Sequence, residues 1–187
     1  MQKPFVKFSP VLFVAALLCV GSSCSSPPPP SAPLAADDSY WHGDGVPGTP
    51  SVRISLSRQR AYFYKDGQLV GESAISSGRE GLDTVTGEFH ILQKDANHES
   101  SLFGDYVDAD GVVIQKDVDT SKDPKPAGAR YEGAKMPNFM RIVSGTGMHE
   151  GYLPGYAASH GCIRMPGPMA AAFFRSVAVG TPVSIEL

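Results

Sequence analysis

The sequence is poor in charge, in cysteine and in tryptophan: of its 187 residues, 19% are charged, three are cysteines and one is tryptophan. The formal net charge is −3, and this lack of positive excess excludes a nucleic-acid partner held through phosphate contacts. The three cysteines, Cys19, Cys24 and Cys162, are an odd number, so a disulfide would leave one thiol over. The 20 glycines and 16 prolines are 36 of 187 residues, below the roughly 25–30% at which a whole chain is expected to be disordered.

The first residues have the pattern of a secretory signal. Lys3 and Lys7 precede the apolar residues 11–20, and small residues follow up to Cys24. A ten-residue helix rises about 15 Å, which is short for a hydrocarbon core of about 30 Å, although a short membrane anchor is the alternative. The residues before Cys24 resemble a bacterial lipobox. We therefore expect a signal peptide of the lipoprotein type over residues 1–23 and a lipid on Cys24, with plain cleavage and release as the alternative.

Residues 25–50 hold seven of the sixteen prolines, including four in succession. Such a stretch buries too little apolar surface to fold, and its proline run favours an extended spacer. The sequence predicts a Pro/Ser-rich disordered tether over residues 24–50, followed by one folded domain over residues 51–187. Whether the Tyr40-Trp41 pair docks on that domain is left open.

Alternating apolar and polar residues predict a mainly β domain, a sandwich or barrel with one or two short helices. Val52, Ile54 and Leu56 alternate with polar residues, and the Asp66-Gly67 pair is typical of a hairpin turn. A proline begins the predicted helix 168–177, and a glycine follows its end. Further predicted strands are 72–76, 88–92, 112–114, 140–143 and 183–187. Residues 93–137 are polar and read as long loops, either binding loops or a solvated insertion.

One segment carries reactive side chains close together. His149, His160, Cys162 and Arg164 lie within sixteen residues of one another, and Cys162 is the only cysteine after the tether. A catalytic thiol needs a nearby base and a backbone bend that exposes the sulfur. Gly161 allows such a bend, and the amides of Gly161 and Cys162 would then point at a developing oxyanion. The spacing leaves open which histidine is the base. Two alternatives are a buried, inert Cys162 and a zinc site of His149, His160 and Cys162, which lacks an obvious fourth ligand.

The motif Ser159-His160-Gly161-Cys162-Ile163-Arg164, with His149 upstream, resembles the signature of the L,D-transpeptidases of the YkuD-like family. Segments 76–78, 84–89 and 180–185 resemble strands of the same family in the same order. The resemblance covers roughly residues 51–187. It implies that this region is an L,D-transpeptidase catalytic domain with a YkuD-like β-sandwich or barrel.

The resemblance also implies roles for the residues of the motif. Cys162 would be the nucleophile and His149 the general base and acid, its ring oriented by a backbone carbonyl near Glu150. Ser159, His160 and Gly161 would form or support the oxyanion hole, and Arg164 would bind a substrate carboxylate or brace the loop. No metal and no cofactor is required.

The implied reaction is attack on a peptidoglycan stem peptide, with release of D-alanine, a thioester on the enzyme and formation of a 3→3 cross-link. An L,D-carboxypeptidase and an enzyme that attaches a protein to the wall are alternatives with the same site, and an inactive wall-binding lipoprotein is an alternative of another class. We expect an exported monomer in the periplasm or cell envelope, held to the membrane by a lipid at Cys24. His42 and His98 are expected to be solvated.

Overall fold

The computed structural model describes Met1 and residues 38–187 of the chain. The predicted signal peptide, the lipidation site Cys24 and the first part of the predicted tether therefore lie outside the described residues. Within 38–187 the chain forms eleven strands and one helix: β1 Tyr40–Trp41, β2 Pro50–Ser55, β3 Arg60–Lys65, β4 Gln68–Ala74, β5 Gly87–His90, β6 Gln93–Val107, β7 Val113–Asp119, β8 Arg130–Val143, β9 Thr146–Glu150, β10 Ile163–Met165, α1 Gly167–Ser176 and β11 Pro182–Glu186.

The strands form two sheets. Six of them are arranged in the order β1-β4-β3-β2-β11-β5, and the other five in the order β10-β9-β8-β6-β7. Two pairs are parallel, β11 with β2 and β10 with β9, while the remaining pairs are antiparallel. The prediction of a mainly β sandwich with a short helix is confirmed.

The core lies between the two sheets and under the helix. Ile54 and Phe63 of the first sheet and Met140 and Met148 of the second are all fully buried in one apolar cluster. Helix α1 adds Phe173 to this cluster and begins with a proline in its first turn, as predicted. In the described part of the chain α1 is the one helix, and its ten residues are too few to cross a bilayer.

The prediction that residues 93–137 form long loops is wrong, because most of them belong to β6, β7 and β8. Strands β6 and β8 pair along most of their length, and only Tyr106, Val118 and Ala129 form a small apolar cluster of their own. Backbone ladder hydrogen bonds rather than apolar burial hold the polar part of this hairpin together. A search for alternating apolar residues therefore does not detect these strands.

Strand β6 contains a bulge that becomes important at the site. The register between β6 and β8 changes from Glu99 opposite Lys135 to Gly104 opposite Gly133. Four residues of β6 thus stand opposite a single residue of β8. The amides of Leu102 and Phe103 both donate to Ser100 Oγ, which closes the bulge on itself.

The folded part of the described chain begins before residue 51. Strand β1 pairs with β4, and the Trp41 ring lies 5.0 Å from the Phe63 ring and 5.8 Å from the Phe173 ring, measured between centroids. Lys65 Nζ donates to the carbonyls of Gly43 and Val46. Residues 38–50 fall in the range predicted as tether, but they include a core-packing tryptophan and a strand, which answers the open question about Tyr40-Trp41.

Candidate active site

The residues of the motif converge because β9 and β10 are parallel neighbours. Their register places Ile163 beside Met148 and Arg164 beside His149. Cys162 immediately precedes β10, and Gly161 before it has φ +107°, a backbone conformation that side chains other than glycine rarely adopt. Gly161 thus allows the sharp bend that leads the partly exposed Cys162 to the start of β10, the parallel neighbour of the strand that carries His149.

His149 is held in one tautomer. Its Nδ1 lies 2.7 Å from the carbonyl oxygen of Glu150, which only accepts, so Nδ1 carries the proton and Nε2 is left as an acceptor. The residue is only 6% exposed. Burial lowers its pKa from 6.5 to about 4, with smaller contributions from the charges of Arg164 and His98, while the bond to Glu150 opposes the change. The imidazole is therefore a neutral base at physiological pH.

The thiol of Cys162 is also neutral at rest. Burial raises its pKa above the ordinary value, while the Gly147 amide and the charges of Arg141 and Arg164 lower it in part. Its Sγ is 3.6 Å from the carbonyl oxygen of Gly145. A neutral thiol beside a neutral imidazole suits proton transfer during the attack on a substrate rather than a preformed ion pair.

Ser159 braces the loop that carries the thiol. It is 1% exposed, and its Oγ accepts a hydrogen bond from the Gly161 amide at 3.1 Å and donates one to the carbonyl of Cys162. The Gly161 amide therefore donates its hydrogen bond within the loop. The expectation that this amide points at an oxyanion is not met in this geometry.

Further residues, for which the sequence motif predicts no role, support the loop of Cys162 through hydrogen bonds to its backbone. Thr84 Oγ1 accepts from the Gly78 amide and donates to the carbonyl of Gly161, both at 2.9 Å. The backbone of Ser76 exchanges two hydrogen bonds with Arg164, at 2.9 and 3.0 Å. The signal for them was present in the segments 76–78 and 84–89, which resembled the family but contain no reactive group.

His160 has different partners from His149. The guanidinium of Arg79, which only donates, lies with Nη2 3.0 Å from His160 Nε2, and the ring stacks on Phe103 with centroids 4.3 Å apart. Burial and the neighbouring charges of Arg79 and Arg164 lower the pKa of His160. Its acceptor nitrogen is thus occupied, so of the two histidines proposed as the base, His149 is the one with a free acceptor nitrogen.

Arg164 is half-buried beside His149, and its side-chain carbons pack against Gly151. Among residues 38–187 no carboxylate lies within 4.0 Å of its guanidinium. Arg164 therefore forms no salt bridge within the part of the chain that the structure describes. Its charge is available to a bound anion.

A cavity of about 530 Å³ opens over these residues and is lined by Cys162, His149, Ser159, His160 and Arg164. Further lining residues come from β6, including its bulge, and from β8, among them Phe103, His98, Lys135 and Arg141. The prediction that His98 is a solvated loop residue is wrong. Its ring stacks on Phe139 with centroids 4.2 Å apart, and its Nδ1 lies 3.1 Å from Asp95 Oδ2.

A metal centre finds no support in the arrangement of donors. Within residues 38–187 no three His, Cys, Asp or Glu side chains are grouped so that they could hold a metal ion. Of the two histidines in the zinc alternative, His160 already has its Nε2 3.0 Å from the Arg79 guanidinium.

The fold is similar to that of several solved L,D-transpeptidases. L,D-transpeptidase 1 of Mycobacterium tuberculosis is 20% identical with a TM-score of 0.53, and the match covers 74% of this chain and 62% of that one. An L,D-transpeptidase from Stackebrandtia nassauensis is 17% identical with a TM-score of 0.54, covering 81% and 60%. The Enterococcus faecium enzyme is 24% identical with a TM-score of 0.51, covering 74% and 50%. This chain thus spans between half and two thirds of their length.

Among curated proteins no sequence matches this chain. The family model described as the L,D-transpeptidase catalytic domain, YkuD, matches residues 49–185, which is most of the chain and includes every residue of the site described above. The chain belongs to the YkuD family of L,D-transpeptidase catalytic domains.

Proposed function

We propose that the domain is a cysteine-dependent L,D-transpeptidase that acts on peptidoglycan stem peptides and forms 3→3 cross-links. One observation carries the proposal. Cys162, just before β10, and the tautomer-fixed His149, on the parallel neighbour β9, line one cavity, so a thiol and a base with a free nitrogen open into the same space.

In the first half-reaction the thiol attacks the carbonyl between the third residue, a diamino acid, and the D-alanine in the fourth position. His149 Nε2 takes the Sγ proton as the S–C bond forms. The tetrahedral intermediate then loses the C–N bond, and the same proton passes to the leaving amine of D-alanine. A thioester remains on Cys162.

In the second half-reaction the side-chain amine of another diamino acid attacks the thioester. His149 accepts the proton of the incoming amine and returns it to the departing sulfur as the C–S bond breaks. The product is a 3→3 cross-link and a free thiol.

The oxyanion is assigned to the amides of His160 and Cys162. The Gly161 amide is left out because it donates to Ser159 Oγ, so Ser159 and Gly161 serve to shape the loop. Arg164 is assigned to a carboxylate of the substrate, since it lines the cavity and has no carboxylate partner among residues 38–187.

Two other outcomes use the same site. Water in place of the acceptor amine gives L,D-carboxypeptidase activity, and an amine of another protein gives attachment of that protein to the wall. The signal-like residues 1–23 support an exported enzyme in the periplasm or cell envelope, held to the membrane by lipid on Cys24.

The test is incubation of the full chain with a disaccharide-tetrapeptide, with products identified by mass spectrometry. Cross-linked dimer with free D-alanine is expected, and Cys162→Ala should abolish it. Tripeptide alone would mean carboxypeptidase activity. The absence of both products, together with no carbapenem adduct on Cys162, would contradict the enzyme and favour a wall-binding protein.

Lipidation is tested separately in cells. Labelled palmitate should enter the wild-type chain but not a Cys24→Ser variant. Equal labelling of both would disprove the lipid anchor without affecting the proposed chemistry.

A further inference from the structure

Strand register places Arg141 in the same row of the second sheet as Cys162. Arg141 of β8 stands opposite Gly147 of β9, and Cys162 lies on the other side of Gly147, one residue before the Ile163–Met148 pair. Adjacent strands are about 4.8 Å apart, so two strand spacings separate Arg141 from Cys162 along this row. Gly147 has no side chain, and a Cβ there would lie 2.5 Å from the carbonyl oxygen of Met140 and 2.6 Å from the Phe139 ring, so the ring packs closely on Gly147.

The guanidinium of Arg141 is held in place on several sides. Its Nε donates to Gln93 Oε1 at 3.0 Å and its Nη1 to the carbonyl of Ser144 at 2.6 Å. The guanidinium also lies 5.2 Å from the centroid of the Phe139 ring. A long side chain that would otherwise lose rotamer entropy on binding is thus preorganised in the free protein.

The same turn contacts both groups. Ser144 and Gly145 join β8 to β9, and the carbonyl of Ser144 accepts from Arg141 while that of Gly145 lies 3.6 Å from Cys162 Sγ. Arg141 and Cys162 also line the same cavity. The position of the cation relative to the sulfur is therefore fixed by a short piece of backbone.

The pKa of Asp95 in β6 is lowered mainly by hydrogen bonds from Asn97 and His98 and in small part by the charge of Arg141. This carboxylate does not form an ion pair with Arg141. Among residues 38–187 no carboxylate lies within 4.0 Å of it. The other cations of the cavity wall are Lys135 and Arg164, the titratable imidazoles are His98, His149 and His160, and Glu150 is the one carboxylate residue in that wall. His149 is neutral above about pH 4, so it adds no charge where the thiol titrates.

We propose that Arg141 is a positioning residue that stabilises the negative charge on Cys162 Sγ as His149 removes its proton. The proposal rests on Cys162 being the nucleophile of the proposed function. Arg141 acts at a distance on a sulfur whose burial disfavours the thiolate, and a fixed cation in a partly desolvated cavity offsets that penalty better than a mobile one.

The experiment measures the rate of alkylation of Cys162 by iodoacetamide as a function of pH in the full chain. The modified Cys162 peptide is quantified by mass spectrometry, so that Cys19 and Cys24 do not interfere. Because only the thiolate reacts, the midpoint of the profile reports the thiol pKa. In Arg141→Met we expect this midpoint about 0.5 to 1 pH unit higher than in wild type.

Two variants separate the charge from its placement. Arg141→Lys keeps the positive charge but lacks the guanidinium that donates to Gln93 and Ser144. Its alkylation midpoint should therefore lie between those of wild type and Arg141→Met. Gln93→Leu keeps Arg141 but removes the bond to its Nε, so its midpoint should lie between those of wild type and Arg141→Met. Arg53→Met is the control for net charge, since Arg53 is half-exposed beside Glu186 and does not line the cavity.

An unchanged midpoint in Arg141→Met, or equal changes in Arg141→Met and Arg53→Met, would overturn the proposal. If Arg141→Met does not fold, an alkylation midpoint in Gln93→Leu equal to that of wild type would overturn the proposal instead. The outcomes are distinct from those of the tetrapeptide assay. Product formation with an unchanged alkylation profile rejects only the role of Arg141, whereas a changed profile without product rejects only the proposed function.

Discussion

His149 Nδ1 lies 2.7 Å from the carbonyl oxygen of the next residue, Glu150, and this bond fixes both the proton position and the orientation of the ring. Burial lowers the pKa of His149, and the bond to Glu150 raises it by a smaller amount, because the bond favours the charged ring but does not replace the water lost around it. Burial dominates, and the site holds its base in the uncharged state over most of the pH range.

The first prediction concerns stability at acid pH. The pKa of His149 is about 4 in the folded chain and 6.5 when unfolded, so between these values the unfolded chain binds a proton that the folded chain does not. Stability therefore falls as the pH drops from 6.5 to 4, by about 3 kcal/mol from this residue. Urea unfolding of wild type and His149→Asn at pH 7 and pH 4 should show a smaller loss in the variant. Equal losses would mean that His149 is not held neutral.

The second prediction concerns Thr84, which joins the loop of Cys162 to the segment between β4 and β5. Thr84→Val keeps the shape of the side chain but leaves the buried Gly78 amide and the Gly161 carbonyl without their partner. The free energy of unfolding should fall by about 1–3 kcal/mol. We expect kcat/KM to fall roughly tenfold or more, because the bend before Cys162 loses its support.

The matched control is Thr86→Val, two residues along the chain at an exposed position. It should change stability by less than about 0.5 kcal/mol and leave kcat/KM as in wild type. If Thr84→Val behaves like Thr86→Val in both measurements, Thr84 does not hold the loop.

The third prediction concerns the stacked pair Phe103 and His160. Burial is the main reason why the pKa of His160 is lowered, and the Phe103 ring covers one of its faces. Phe103→Ala should therefore raise that pKa toward 6.5, while Phe103→Leu, which keeps most of the cover, should raise it less. An NMR titration of the imidazole signals, with His160→Gln used for assignment, measures both. A pKa that is the same in wild type and Phe103→Ala would show that the stack does not shield the ring.

The residues of the site differ in how far the sequence could identify them. His149, Ser159, His160, Cys162 and Arg164 are close in sequence and form a recognisable motif, and the structure places them around one cavity. Further lining residues of the cavity come from a polar hairpin whose strands lack an apolar alternation. It reaches the site through pairing of β6 with β8 over residues far apart in sequence, which no local pattern encodes.

The same reasoning explains why Arg141 was missed. An arginine in a strand is ordinary in composition, and its position becomes informative only when register places it across Gly147 from Cys162. The alternation in β2, the Asp66-Gly67 turn and the helix after Pro166 depend on neighbours within a few residues, so these parts of the fold were predictable.

The fourth prediction concerns Trp41, the single tryptophan, which lies outside the residues 49–185 matched by the family model. Its ring packs on Phe63 of the first sheet and on Phe173 of helix α1, so it joins a sheet to the helix. Trp41→Ala should lower the free energy of unfolding by about 2–4 kcal/mol, less than for a fully buried tryptophan because the side chain is only partly buried. Thermal and urea denaturation followed by circular dichroism measures this.

The control for Trp41→Ala is Val179→Ala, an apolar truncation at a position that is 64% exposed, and it should cost less than about 0.5 kcal/mol. Trp41→Phe should recover part of the loss, because an aromatic ring still reaches Phe63. If Trp41→Ala is as stable as Val179→Ala, the β1 segment lies on the domain without stabilising it. A loss of the expected size would instead place the start of the folding unit before β2, since the strand pairing of Tyr40–Trp41 with β4 and the ring contacts of Trp41 would then contribute to the same cooperative transition.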